Sequence, residues 1–178
     1  TWDLRIWDDA LPDELMEKSR EIHDRFYRAM RRLCDDRIKE HGRILLLDIH
    51  SYNFKREGPD GAPAPAEKNP DIDIGATTLN KDVYGDLLDQ FAETLGSVPV
   101  NGSAPSVGIN VRWEDGGNFP EWLHSIHGPD ACVMTLEYKK IFMDEWSEEA
   151  DIFALQHLRQ GLLLAVEGAR ATLRNMAE

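Results

Sequence analysis

Apolar and polar positions alternate along this chain in two periods, and the periods mark its elements. Leu15, Ile22, Phe26, Met30 and Leu33 recur at helical spacing behind Pro12 and Asp13, with Gly42 just beyond, which predicts a long amphipathic helix over about 13–41. The apolar run Ile44-Leu45-Leu46-Leu47 is too short for a helix and predicts a strand over 43–49 buried on both faces, ending in a loop that carries His50. Residues 55–78 hold Gly58, Gly61, Pro63, Pro65 and Pro70 and read as a long irregular segment whose last part, from Asn69 to Gly75, is ordered.

Tyr84, Leu87, Leu88, Phe91 and Leu95 share one face of a second helix over 81–95, stopped by Gly96. Short strands are expected at 98–100 and 107–111, separated by the turn signal Asn101-Gly102-Ser103. Asp115-Gly116-Gly117-Asn118 breaks the pattern, and Pro120 starts a short helix to about 126. Residues 131–138 form another strand, and a last helix over about 149–175 carries Ile152, Phe153, Leu155, Leu158, Leu162, Leu163, Val166 and Leu173. Helices alternating with short buried strands predict a single α/β domain with a mostly parallel sheet.

Composition narrows the function. A chain of 178 residues is large enough to bury about 70% of its unfolded surface without staples. Cys34 and Cys132 form no paired spacing, so a reducing, cytoplasmic setting is the expectation. With 20 basic against 33 acidic side chains the formal charge is −13, which repels phosphate backbones and anionic lipids; neither nucleic acid nor a membrane is an expected partner. No run of apolar residues is long enough for a membrane span. The chain opens on Thr1 with Leu4-Arg5-Ile6-Trp7, which reads as a connection already inside a fold, so residues are expected to precede it.

Two strands end in ionisable groups, His50 and Glu137. If they run the same way, an imidazole and a carboxylate meet at the carboxyl edge of the sheet, where open α/β folds bind ligands. That pair suits metal-assisted hydrolysis, the histidine holding Zn²⁺ and the carboxylate taking a proton from water. Other patterns carry less. His124 and His127 stand three apart, a loose metal spacing, although His124 is also a candidate for lining a pocket. Ser51 as a nucleophile is rejected, since neighbours in a strand point oppositely and no GxSxG is present. Cys132 reads as core, and Asp71 and Asp73 as either turn caps or groups that orient His50 or touch substrate.

Three blocks carry a resemblance: Leu47-Asp48-Ile49-His50-Ser51-Tyr52-Asn53, Asn69-Pro70-Asp71-Ile72-Asp73-Ile74-Gly75, and Leu136-Glu137-Tyr138-Lys139-Lys140-Ile141-Phe142-Met143-Asp144-Glu145-Trp146. In this order, with Leu4-Arg5-Ile6-Trp7 also fitting, they resemble the N-formylglutamate amidohydrolase family, which is similar in turn to zinc carboxypeptidases. The resemblance implies a three-layer α/β/α sandwich and zinc-dependent hydrolysis of an N-formyl (N-acyl) amino acid such as N-formylglutamate to formate and the amino acid. It implies His50 as a zinc ligand and Glu137 as general base. The other two ligands, spaced HxxE in the peptidases, have no counterpart before His50, so they are expected outside this chain, which would then be about the carboxyl-terminal two-thirds of a longer one. For the anionic substrate Arg112 is the first candidate, because its planar fork matches a carboxylate, followed by Lys139, Arg56 and Lys55. Asn110, His124 and Ser51 complete the expected substrate contacts. Alternatives are a carboxypeptidase-like or other N-acyl amidase, or a metal-free binding or regulatory module of the same fold.

Overall fold

Strand Ala131–Lys139 sets the frame of the molecule, because Cys132, Met134, Leu136 and Tyr138 alternate with Val133, Thr135, Glu137 and Lys139 and so give the sheet two different faces. The structure, a computed structural model, describes residues 5, 7, 10–114 and 117–176. In chain order its elements are α1 (Asp13–His41), β1 (Ile44–Tyr52), β2 (Ile72–Gly75), α2 (Lys81–Ser97), β3 (Val107–Ile109), α3 (Asn118–His127), β4 (Ala131–Lys139) and α4 (Ile152–Asn175). The chain divides into two compact units, Thr1–Glu40 and His41–Glu178. The first consists largely of α1, whose acidic first turn at Asp13 and Glu14 complements the helix dipole. Exposed ion pairs such as Arg37 with Glu40, 3.0 Å, line its surface.

The second unit holds a four-stranded sheet in the order β1, β4, β2, β3. β1 runs parallel to β4 and β2 parallel to β3, while β2 and β4 are antiparallel. This is a mixed α/β fold with a mostly parallel sheet flanked by helices. One face carries Ile72, Ile74, Cys132, Met134 and Leu136, packed with Tyr84, Leu87, Leu88, Phe91 and Leu95 of α2 and with Ala154, Leu158, Ala165 and Ala169 of α4. Each of the larger side chains contributes about 1.5–3 kcal/mol by leaving water. Small residues of α4, Ala154, Gly161, Ala165 and Ala169, lie along this contact, where a Cβ on Gly161 would make ordinary contact with Leu95 O of α2 at 3.6 Å. Helix α2 is started by Asn80, whose side chain accepts from Asp82 N at 3.2 Å. Cys132 lies in this core, and burial pushes its thiol up to about 12, which makes it inert.

Several sequence expectations shift. β1 is an edge strand of the described sheet and is half-buried to exposed along most of its length; the inner strands are β4 and β2. β1 also continues to Tyr52, because β4 runs on to Lys139 and pairs with it throughout, so His50 lies within the strand. Residues 98–100 make only an isolated bridge, Val100 with Ser103, and extend into no strand. β2 arises inside the segment read as irregular, and α2 runs through Gly96 to Ser97. Helix α4 starts at Ile152, since Asp151 caps it by accepting from Ala154 N at 3.0 Å. Of the opening Leu4-Arg5-Ile6-Trp7, Leu4 and Ile6 lie outside the described residues, as do Asp115 and Gly116.

Candidate active site

The parallel register of β1 and β4 aligns His50 with Glu137, and the antiparallel register of β2 and β4 aligns Asp73 with Glu137 from the other side. Gly108 of β3 continues the row beside Asp73. Paired residues on neighbouring strands project from the same face, so His50, Glu137 and Asp73 stand side by side on the face opposite the α2 and α4 core. The two strand-end groups marked in the sequence are thus neighbours.

Asp48, two residues before His50 and therefore on the same face of β1, places its Oδ1 2.9 Å from His50 Nε2. Burial raises Glu137 above the ordinary carboxylate value of 4.5; the charges of His50 and Arg112 oppose the rise, and those of Asp73 and Asp48 add to it. A carboxylate held in this way is a better proton acceptor than one in water.

Arg112 arrives from the loop after β3. Its guanidinium donates from Nη1 to Asn69 Oδ1 at 2.5 Å and lies 4.5 Å from the centre of the Tyr52 ring and 5.1 Å from that of Trp113. Its Nε is buried and has no partner among the described residues. Tyr52 in turn donates from its hydroxyl to Pro70 O. Asn110 has a left-handed backbone, φ 56°, and its Oδ1 accepts from Ala76 N at 2.8 Å and Thr77 Oγ1 at 3.1 Å. That carboxamide oxygen shapes the loop from within.

The remaining expected contacts are arranged differently. Lys139 is nearly buried, its Nζ donating to Asn69 O and to Asp71 Oδ1, both at 3.2 Å, above the Phe54 ring. Asp71 also accepts from Ser106 N and Oγ, 2.9 Å each; burial would raise its pKa, but these bonds and the Lys139 charge outweigh it and hold the carboxyl below 3.8. His124 uses both ring nitrogens. Val133 N donates to Nε2 at 3.3 Å, so Nδ1 carries the proton and donates to Thr78 Oγ1 at 2.8 Å, and burial lowers the pKa of the ring. Ser51 is exposed and, by strand alternation, on the opposite face from His50. Lys55 pairs with Asp144 at 3.6 Å, beside an open cleft of about 260 Å³ lined by Phe54, Lys140, Met143 and Glu149 among others. Arg56 is exposed on the loop. Sequence reading overlooked the roles of Asn69, Tyr52 and Asp48. Only Asp48 was accessible to it, through the two-residue spacing from His50.

A catalytic zinc takes three protein ligands and an open position. Among the described residues no group of three or more His, Cys, Asp or Glu side chains is placed to hold a metal. His50 with its neighbours therefore does not fit a complete zinc site. No helix among the described residues is long and apolar enough to cross a membrane.

Comparison with known proteins agrees with the fold. The model of a family described as N-formylglutamate amidohydrolase matches residues 3–137. The crystal structure of N-formylglutamate amidohydrolase from Ralstonia eutropha JMP134 is similar with a TM-score of 0.65 and 17% sequence identity, over 98% of this chain and 62% of that one. The chain thus spans less than two-thirds of that protein's length. No curated protein matches the chain.

Proposed function

The chain belongs to the N-formylglutamate amidohydrolase family, and from that membership we propose that it hydrolyses the amide of an N-formyl or N-acyl amino acid, N-formylglutamate being the first candidate. Supporting this reading above all is the register that sets the part-buried Glu137 beside His50 near the carboxyl ends of two parallel strands. In the proposed reaction Glu137 accepts a proton from water as its oxygen attacks the formyl carbon. When the C–N bond breaks, the same proton passes to the leaving nitrogen, and formate and the free amino acid result. Arg112 binds the substrate carboxylate, its guanidinium already oriented by Asn69 and Tyr52. His50, held by Asp48, bounds the site on the other side of Glu137. It is the one residue proposed as a zinc ligand, and the remaining donors would have to come from outside the described residues.

Formate release measured across a panel of N-formyl and N-acyl amino acids tests the proposal. Release that depends on Glu137 supports it, and equal rates for wild type and Glu137→Gln would defeat the proposed base. One observation favours a second reading, a binding or regulatory module without metal: the lack of a three-ligand group among the described residues. Zinc near one equivalent together with turnover excludes that module. Ligand binding without formate release selects it.

A further inference from the structure

Asp73 is 1% exposed, and an ionised carboxylate is costly to bury unless its lone pairs are taken up. Here both oxygens are occupied by consecutive backbone groups: Val111 N donates to Oδ1 at 3.1 Å and Arg112 N to Oδ2 at 2.8 Å. Two converging N–H groups call for two acceptors, which a carboxylate has and a carboxamide lacks. The surroundings are fitted to this clamp. Asn110 adopts its left-handed conformation immediately before the two donors. Gly108, the register partner of Asp73, leaves room for the turn: a Cβ there would lie 3.0 Å from Asp73 Oδ1 and 2.7 Å from Val111 Cγ2. On its other side Asp73 is the register partner of Glu137. One carboxylate therefore ties the backbone of Arg112 to the strand next to the proposed base.

We propose that Asp73 is a positioning residue: by clamping the Val111 and Arg112 amides it fixes where the Arg112 guanidinium meets the substrate carboxylate relative to Glu137. The proposal rests on the reading of Arg112 as the carboxylate-binding group. Misplacement by about 1 Å can cost a catalytic site as much as ~100-fold in rate, and loss of one acceptor should loosen the segment without removing the cation.

Calorimetric titration of the whole chain with N-formyl-L-glutamate separates the possibilities, using wild type, Asp73→Asn, Arg112→Ala and the double variant. Arg112→Ala is expected to weaken binding at least ~10-fold and Asp73→Asn about 10-fold, with the double variant no weaker than Arg112→Ala alone, since contacts acting through one group are not additive. A residue that only stabilises the fold would lower the melting temperature of Asp73→Asn and leave its affinity unchanged, or the two losses would multiply; either result overturns the proposal while the carboxylate site stands. Wild-type binding that Arg112→Ala leaves intact, or no binding by folded wild type, overturns the reading of Arg112 and the proposal with it. Should Asp73→Asn fail to fold, Gly108→Ala takes its place. Its methyl presses the carboxylate and the loop apart without removing the charge, and the same non-additivity with Arg112→Ala is expected.

Discussion

The two faces of β4 belong to one nine-residue strand and have little else in common. Cys132, Met134, Leu136 and Tyr138 are buried against α2 and α4 and hold the sheet to its helices. Across the backbone, Thr135, Glu137 and Lys139 are only part-buried, and Glu137 stands among charged groups from β1, β2 and the loop after β3. The period of two lets a strand assign stability to one face and polar chemistry to the other. Neighbouring residues such as Leu136 and Glu137 should therefore respond to substitution in opposite ways.

The sharpest test of that contrast is Glu137→Gln. General-base catalysis contributes about 10²–10⁴-fold, and formate release should fall by that factor. Burial raises the Glu137 pKa, so its protonated form is the one the fold favours. Stability linked to this group is full below its unfolded value and lost as pH rises through the folded one, and at neutral pH Glu137→Gln should melt no lower than wild type. The acid limb of formate release should correspondingly lie above 4.5. A Glu137→Gln variant that melts well below wild type would break the contrast. Next, Leu136→Ala should cost about 2–5 kcal/mol in chemical unfolding while leaving turnover per folded molecule unchanged.

His124→Ala lies between these extremes. It strands Val133 N and Thr78 Oγ1 and should cost about 1–3 kcal/mol. A change in KM larger than the stability loss explains would return His124 to the site. The smallest effect expected is in acid. Asp71 has a folded pKa below 3.8, so its contribution is present above that pH and lost as pH falls through the folded value. Melting temperatures between about pH 2 and 5 should fall less steeply in Ser106→Ala, which removes one of the hydroxyl bonds to Asp71.

Much of this arrangement was legible in the residues. Helical spacing located α1, α2 and α4, and the apolar runs located β1 and β4, because each element's own periodicity records which side leaves water. The blocks around His50 and Glu137 pointed to one sheet edge and one family. β2 was hidden, since Ile72-Asp73-Ile74-Gly75 is short and its acid reads as turn chemistry until the fold buries it. Lys139 and His124 carried the right chemistry for substrate contacts, yet Asp71, Asn69, Thr78 and Val133 take up their polar atoms.

By itself, then, the sequence determined the types and periods of the elements and the chemical character of the two strand ends, all properties that lie within a few residues of one another. Only the tertiary structure decided that β1 is an edge of the described sheet and β4 an inner strand, that His50, Glu137 and Asp73 form one row, and that Asp73 holds the backbone of Arg112. Those relations join residues far apart in the chain through strand register and burial, and a local pattern carries no record of which distant partner will satisfy a hydrogen bond.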